Sequence, residues 1–277
     1  ASVACIYGLG APEEYFLLAI SLRPGMELER DALLRNLVEI QYQRRDIDFQ
    51  RSSFRVRGDI VEIFPASNSE VAIRVEFFGD EIDRICEEEA LTGTIISELK
   101  HVLIFPARQY AVGSAKMPSA LSMIERDMHD EVKAFRDEGK LLEAQRLEQR
   151  TTYDLEMMRE IGYCSGVENY SRYFDGRSPG EPSFTLLDYF PKNNFLVFID
   201  ESHMTIPQIR AMYHGDRSRE DNLVNYGFRV KSAYDNRPWT FEEFDARVPQ
   251  LICVSATPAP YELGEAGQGV GQHIRPT

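Results

Sequence analysis

Two short polar motifs carry the residue types that catalysis needs. Asp200-Glu201-Ser202-His203 follows directly on the apolar run Phe195-Leu196-Val197-Phe198-Ile199, and Ser255-Ala256-Thr257-Pro258 follows directly on Leu251-Ile252-Cys253-Val254. Continuous apolar runs of this length read as strands buried on both faces of a parallel sheet. Open α/β sheets bind ligands beyond the carboxyl ends of their strands, where an acidic pair suits a hydrated Mg²⁺ and an attacking water. Two polar motifs at two such ends point to one shared site. His203 reads either as a metal ligand or as a hydrogen-bonded histidine beside that site, and no second His or Cys at ligand spacing favours the first.

The elements around these motifs follow from hydrophobic period and punctuation. Thr240-Phe241-Glu242-Glu243 is a capping-box pattern, so a helix connects the two strands. Upstream, Ala1 to Gly10 read as a short buried strand running into a glycine-punctuated loop, and Pro12 to Ile20 and Met26 to Tyr42 as helices. From Phe49 the period becomes two. Phe54 and Val56 alternate with Arg55 and Arg57, Gly58-Asp59 turns the chain, and Val61 and Ile63 alternate with Glu62. Ile73, Val75 and Phe77 alternate with Arg74, Glu76 and Phe78; Glu81 to Ile85 and His101 to Phe105 complete a small antiparallel sheet. Arg55 and Arg57 therefore share one outer face, and Arg74 and Glu76 another stretch of it. Exposed Phe78 on that face reads either as an interface anchor or as packing under a loop. Leu121, Ile124, Met128, Val132 and Phe135 open a helix, Ala144 to Met158 continue with a second, Gly139 separates them and Gly162 ends the second. Asp175 to Pro182 reads as a linker.

The 277 residues hold 45 Asp+Glu against 31 Lys+Arg, a formal charge of −14. Nucleic-acid contact must then come from local basic patches. Arg146, Arg150, Arg159 and Arg172, with Asn169 and Tyr170, either meet a DNA backbone or stack on a base, or else share a solvated helix face with Glu143, Glu148, Glu156 and Glu160. Four scattered cysteines without zinc spacing fit a reducing cytoplasm, and neither a signal peptide nor a membrane span is visible. The chain opens without Met, and Ile274-Arg275-Pro276-Thr277 ends it without a capping helix, so it reads as a piece of a longer polypeptide.

The strand-end motifs together fit the paired motifs of helicases, in which the D-E pair handles magnesium and water and S-A-T links nucleotide state to domain movement. With them, Cys5 to Gly10, Asp46 to Arg51, Phe54 to Pro65, Lys140 to Arg150, Tyr153 to Glu160, Cys164 to Arg172, Thr185 to Pro191 and Ser255 to Leu263 resemble the UvrB family of bacterial excinuclease subunits over essentially the whole chain. Trp239 and Ala259 depart from the Leu and Gly expected there.

The resemblance implies an α/β and α+β multidomain fold: part of a P-loop NTPase (RecA-like helicase) domain in residues 1–17 and 183–277, an inserted α+β domain in 18–111 and a helical domain in 112–182. It implies a damage-verifying, ATP-dependent subunit of nucleotide excision repair that docks on UvrA, meets damaged DNA and recruits UvrC. Asp200 would hold Mg²⁺ through water, Glu201 would polarise the hydrolytic water, and Ser255, Ala256 and Thr257 would form the coupling motif. UvrA docking falls on Arg44, Arg55, Arg57, Arg74 and Glu76, and DNA contact on Arg150, Asn169 and Tyr170. No G-x-x-x-x-G-K-[ST] motif occurs in the sequence, so this chain is expected neither to hydrolyse ATP nor to hold ATP or Mg²⁺ tightly. The alternative is the docking-only, UvrB-like region of a transcription-repair coupling factor, which has no need of either strand-end motif.

Overall fold

The computed structural model describes residues 1–113, 115–266 and 271; the expectation for residues 274–277 lies outside them. Residues 3–6 form a single 3-10 turn, capped by the Ser2 side chain, in place of the expected strand. Helix α1 (Pro12–Leu17) opens with proline and stops earlier than the apolar pattern suggests, because Ile20 enters strand β1 (Ile20–Leu22). Helix α2 (Arg30–Glu39) is likewise shorter than expected, burying Leu33 and Leu37.

The sheet that follows runs through β2 (Gln43–Arg44), β3 (Ser53–Arg57), β4 (Ile60–Phe64), β5 (Val71–Phe78), β6 (Glu81–Glu89) and β7 (Ile95–Glu98) in chain order. All neighbours are antiparallel except β2 and β3, which run parallel. Strand β8 (Val102–Ile104) leaves this sheet and pairs with β1 instead. Phe54, Val61, Ile63, Ile73, Val75, Ile82 and Ile85 pack against Leu33 and Leu37 of α2. The period-two alternation thus sends one side chain in two toward α2, and at about 25 cal/mol per Å² of apolar area each such residue is worth roughly 1.5–3 kcal/mol.

Helices α3 (Met117–Asp137) and α4 (Leu141–Ile161) form a hairpin, with Gly139 left-handed at the turn (φ 76°) and Gly162 left-handed at the C-terminus of α4 (φ 70°). Leu121, Ile124, Met128 and Val132 interlock with Ala144, Leu147, Leu155 and Met158. Helix α5 (Ser171–Asp175) closes this core with Tyr173 and Phe174.

The last region holds β9 (Val197–Ile199), the long α6 (Ser202–Asn225), α7 (Phe241–Arg247), β10 (Leu251–Cys253) and α8 (Pro260–Glu265). β9 and β10 are parallel, with Val197, Phe198 and Ile199 beside Leu251, Ile252 and Cys253. The expectation that both faces of these strands are buried is corrected: Phe198 is 66% exposed and Ile252 42%. Helices α6 and α7 cover only one face of the pair, so alternate residues of an apolar run stay bare. Ile6 shares a core with Leu187, Ile199, Ile206, Trp239 and Phe244. Trp239, the departure noted in the sequence, is fully buried; its indole N–H donates to the Ser183 carbonyl at 2.8 Å and its backbone N–H to the Ile6 carbonyl at 3.1 Å.

At the C-terminus of α6, Gly227 is left-handed (φ 69°), and a Cβ placed there would strike the Glu143 backbone in the first turn of α4. Gly58 in the β3–β4 turn is also left-handed (φ 62°) but has open space around it. Gly227→Ala is therefore expected to cost about 2–4 kcal/mol in chemical denaturation, from left-handed strain plus overpacking, and Gly58→Ala only about 1 kcal/mol. Equal costs would contradict the close approach of α6 and α4.

Candidate functional site

The parallel pairing of β9 and β10 brings the two polar motifs together. The backbone ladder continues past both strands: Val254 N–H donates to the Ile199 carbonyl at 2.8 Å, and Ser202 N–H to the Val254 carbonyl at 3.0 Å. Asp200 caps the Glu201 N–H at 3.0 Å, and its carbonyl receives the Thr205 hydroxyl at 3.0 Å. Glu201 sits in the left-handed region (φ 45°, ψ 50°), a conformation that costs a side-chain-bearing residue energy, and its side chain is exposed.

His203 ties the motifs to each other. Its Nδ1 lies 2.7 Å from the Ser255 hydroxyl and 3.4 Å from a Glu201 carboxylate oxygen, and the Ser255 oxygen also accepts the Thr257 N–H at 3.1 Å. Of the two readings of His203, the geometry is that of the hydrogen-bonded histidine. Among the described residues no group of three or more His, Cys, Asp or Glu could hold a metal by itself. The donor set is hard oxygen, open on one side, which fits a magnesium ion that keeps its waters and takes its remaining ligands from a phosphate. Beside the Ser255 turn opens a cleft of about 670 Å³, lined by Ser202, Cys253, Ser255, Tyr261 and Glu262.

The second cluster lies on the outer face of the six-stranded sheet. Arg55 stands opposite Glu62, which stands opposite Arg74, so the three form a row across β3, β4 and β5. The expectation of a row of solvent-facing arginines needs correction. Arg55 is only 12% exposed, gripped bidentately by Glu62 at 2.5 and 2.8 Å and stacked 4.2 Å over the Phe49 ring. Arg74 is bound by Glu76 at 2.6 Å. Arg57, 63% exposed, and Arg44, paired with Asp46 at 3.1 Å, are the cations that reach solvent. Phe78 is 83% exposed, so packing under a loop is excluded for it.

The third cluster is a cleft of about 420 Å³ between α4, the 165–170 turn and the end of α6, lined by Arg146, Arg150, Asp154, Asn169, Phe228 and Arg229. Arg150 donates to Asp154 at 3.1 Å and to the Ser165 carbonyl at 2.8 Å. Tyr170 is corrected as a stacking platform: its ring is buried, and its hydroxyl donates to Asp154 at 2.9 Å. Burial pushes the Tyr170 hydroxyl far above its ordinary range and pushes the Asp154 carboxyl up as well. Sequence reasoning missed Phe228 and Arg229, which stand outside every motif; an aromatic followed by arginine just past the end of a helix was the available signal. Arg229 is held by buried Glu220 at 2.5 Å, and the Arg146 guanidinium lies 4.1 Å over the Phe228 ring.

Fold and site together define a multidomain α/β protein, with a mostly antiparallel six-stranded sheet, a helical hairpin and a strand-end polar site. A model described as the UvrB interaction domain matches residues 20–110, and one described as the UvrB third helical domain matches residues 115–176. Proteins named UvrABC system protein B are 61% identical in Geobacillus kaustophilus, 60% in Streptococcus agalactiae and 59% in Caldicellulosiruptor bescii, each over all 277 residues. The chain spans 42% of the length of these relatives. Over its whole length the chain is thus similar to UvrB proteins, and two of its regions match UvrB domain families.

Asp154 is the shared partner of Arg150 and the Tyr170 hydroxyl, so Asp154→Ala strands a buried hydroxyl and frees an arginine. A loss of about 2–4 kcal/mol in urea unfolding is expected. Tyr170→Phe, which removes the hydroxyl along with its need, is expected to cost at most about 1.5 kcal/mol.

Proposed function

We propose that this chain carries the partner-docking, helical and strand-end regions of the damage-verifying subunit of a bacterial UvrABC excision nuclease, an ATP-dependent DNA repair protein of the cytoplasm. The observation that carries this reading is the juxtaposition of Asp200-Glu201 with Ser255-Ala256-Thr257 on neighbouring parallel strands, linked through His203, in a chain about 60% identical throughout to UvrABC system protein B. The docking-only alternative gives no reason for that linked pair. None of the described helices is long and apolar enough to cross a membrane.

Mg²⁺, when bound with ATP, supplies charge neutralisation at the β- and γ-phosphates. Asp200 would hold the ion through water, and Glu201, exposed beside it, would orient and polarise the attacking water. His203, hydrogen-bonded to Ser255 and 3.4 Å from Glu201, would couple the acidic pair to the second motif, whose Thr257 N–H donates to the same hydroxyl. The phosphate-cradling glycine loop has no counterpart among the 277 residues, so we assign turnover to the full-length protein and not to this chain alone. In the full-length protein, Glu201→Gln is expected to lower ATP turnover by about 100-fold or more with UvrA docking unchanged. Normal turnover would refute the assignment.

Docking on UvrA falls to the outer face of the sheet, with Arg57 and Arg44 as the exposed cations, Arg74 and Glu76 as a bound pair beside them and Arg55 as their buried support. DNA contact falls to the Arg150 cleft, where Arg146, Arg229 and Asn169 surround the exposed edge of Phe228; UvrC acts downstream of both. Calorimetric titration of UvrA with Arg57→Ala/Arg74→Ala is expected to show binding weakened at least about tenfold, and wild-type binding is expected to weaken as salt rises. Unchanged affinity in the double variant would move the interface off this face.

A further inference from the structure

The docking sheet hides two acids under its arginines. Glu62 of β4 and Glu88 of β6 both lie on the outer face yet are buried, Glu88 completely. The Phe49 and Phe64 rings, 5.5 Å apart, close that end of the face, and Phe49 roofs Arg55. Glu62 is well served: Arg55 donates to both of its oxygens, and the Arg57 Nε stands at 3.8 Å. Glu88 is not. Neither of its carboxyl oxygens receives a hydrogen bond, and its nearest cation, the Arg74 Nη1, is 3.9 Å away with Arg74 Nε already bound to Glu76.

A buried carboxylate without a donor is among the costliest groups a protein can hold, whereas a neutral carboxyl that donates its O–H to a neighbouring carboxylate is not. The two acids are placed to do this. Burial, and then the neighbouring Glu62, push the Glu88 carboxyl up to about 7. Burial alone would raise Glu62 too, but the Arg55 guanidinium and then the neighbouring Glu88 carboxyl outweigh it and hold Glu62 below the usual range. The charged groups that face the pair are Arg55 and Arg57 on β3, Arg74 and Glu76 on β5, Arg84 on β6 and Glu98 on β7; Arg84 and Glu98 are paired with each other.

We propose that Glu62 and Glu88 hold one proton between them as the charge-setting element of the docking sheet: ionised Glu62 aims Arg55 and Arg57, and neutral Glu88 leaves the Arg74 guanidinium its charge for an acidic surface on the partner. This rests on the reading of the sheet as the UvrA-docking face. An acidic surface approaching Arg74 disfavours a second carboxylate beneath it and so favours the protonated form of Glu88. The complex then binds more protons than the free protein, and docking tightens as pH falls through about 7 and weakens as it rises.

The test titrates UvrA with this chain by calorimetry at pH 6 and pH 8, wild type against Glu88→Gln, whose amide keeps a donor for Glu62 and stays neutral at both values. A parallel carbon NMR titration follows the glutamate carboxyls of the chain alone. Wild-type docking is expected to be about three- to tenfold weaker at pH 8, at most tenfold per proton per pH unit. Glu88→Gln should bind at pH 8 as tightly as wild type at pH 6, and one carboxyl titrating near 7 should vanish from its spectrum. A wild-type pH response retained in Glu88→Gln, or the absence of that carboxyl from the wild-type spectrum, overturns the proposal while leaving docking in place. No binding by folded wild type at either pH, with the carboxyl present, overturns the docking reading and with it the role given to the pair.

Discussion

Asp235 is the joint on which the rest of the structure depends. It is nearly inaccessible to solvent, yet it receives the Arg172 guanidinium at 2.7 Å and the Gly180 N–H at 2.7 Å on its carboxylate, and the Arg177 guanidinium at 3.0 Å and the Ser183 hydroxyl at 2.8 Å on its carbonyl. Arg172 also reaches Asp127 on α3, and Arg177 pairs with buried Asp175. Removing one member would leave an unpaired buried charge, so the network holds as a unit. It binds the helical hairpin, the 176–183 segment and the approach to Trp239 into one arrangement. Trp239 in turn holds Ile6 and Ser183, and that core supports β9 and the polar residues at its end.

The chain as a whole is acidic, and its sheet face shows how arginines are ordered within such a chain. Buried acids do not cancel the arginines; they fix them in place. Glu62 turns Arg55 into a rigid support and leaves the solvent end to Arg57, so the surface presents few mobile cations. A side chain already held loses less freedom on binding, and the local potential is set by neighbours only a few ångströms away and not by a distant net charge of −14.

At the strand ends, the economy is different. Glu201 occupies a left-handed conformation that is tolerated because Asp200 caps its N–H and α6 begins directly after it. The same departure from regular backbone brings its carboxylate within 3.4 Å of His203. The two motifs thereby meet directly, in the hydrogen bond between the His203 imidazole and the Ser255 hydroxyl.

What the sequence determined by itself is what local period and punctuation encode. The alternation from Phe54 to Phe78 placed the sheet and its two faces, glycines 139 and 162 placed the ends of the helical hairpin, and the polar residues after two apolar runs located the strand-end site, because in each case the signal and the structure lie within a few residues. Tertiary structure decided what depends on distant partners. The strand expected where the sequence opens is replaced at residues 3–6 by a 3-10 turn that Ser2 caps; the helix expected through Ile20 stops because Ile20 pairs with Ile104 some eighty residues later. The same local reading could not tell a free arginine from a buried one. Arg55 and Arg57 are equivalent in period, and only Glu62 and the Phe49 ring separate them. Tyr170 looked like a base platform until Asp154 closed over its hydroxyl, and Phe228 and Arg229 joined Arg150 only through the packing of α6 on α4. Period reports which face a residue occupies; burial and ion pairing on that face are set by chain that comes from elsewhere.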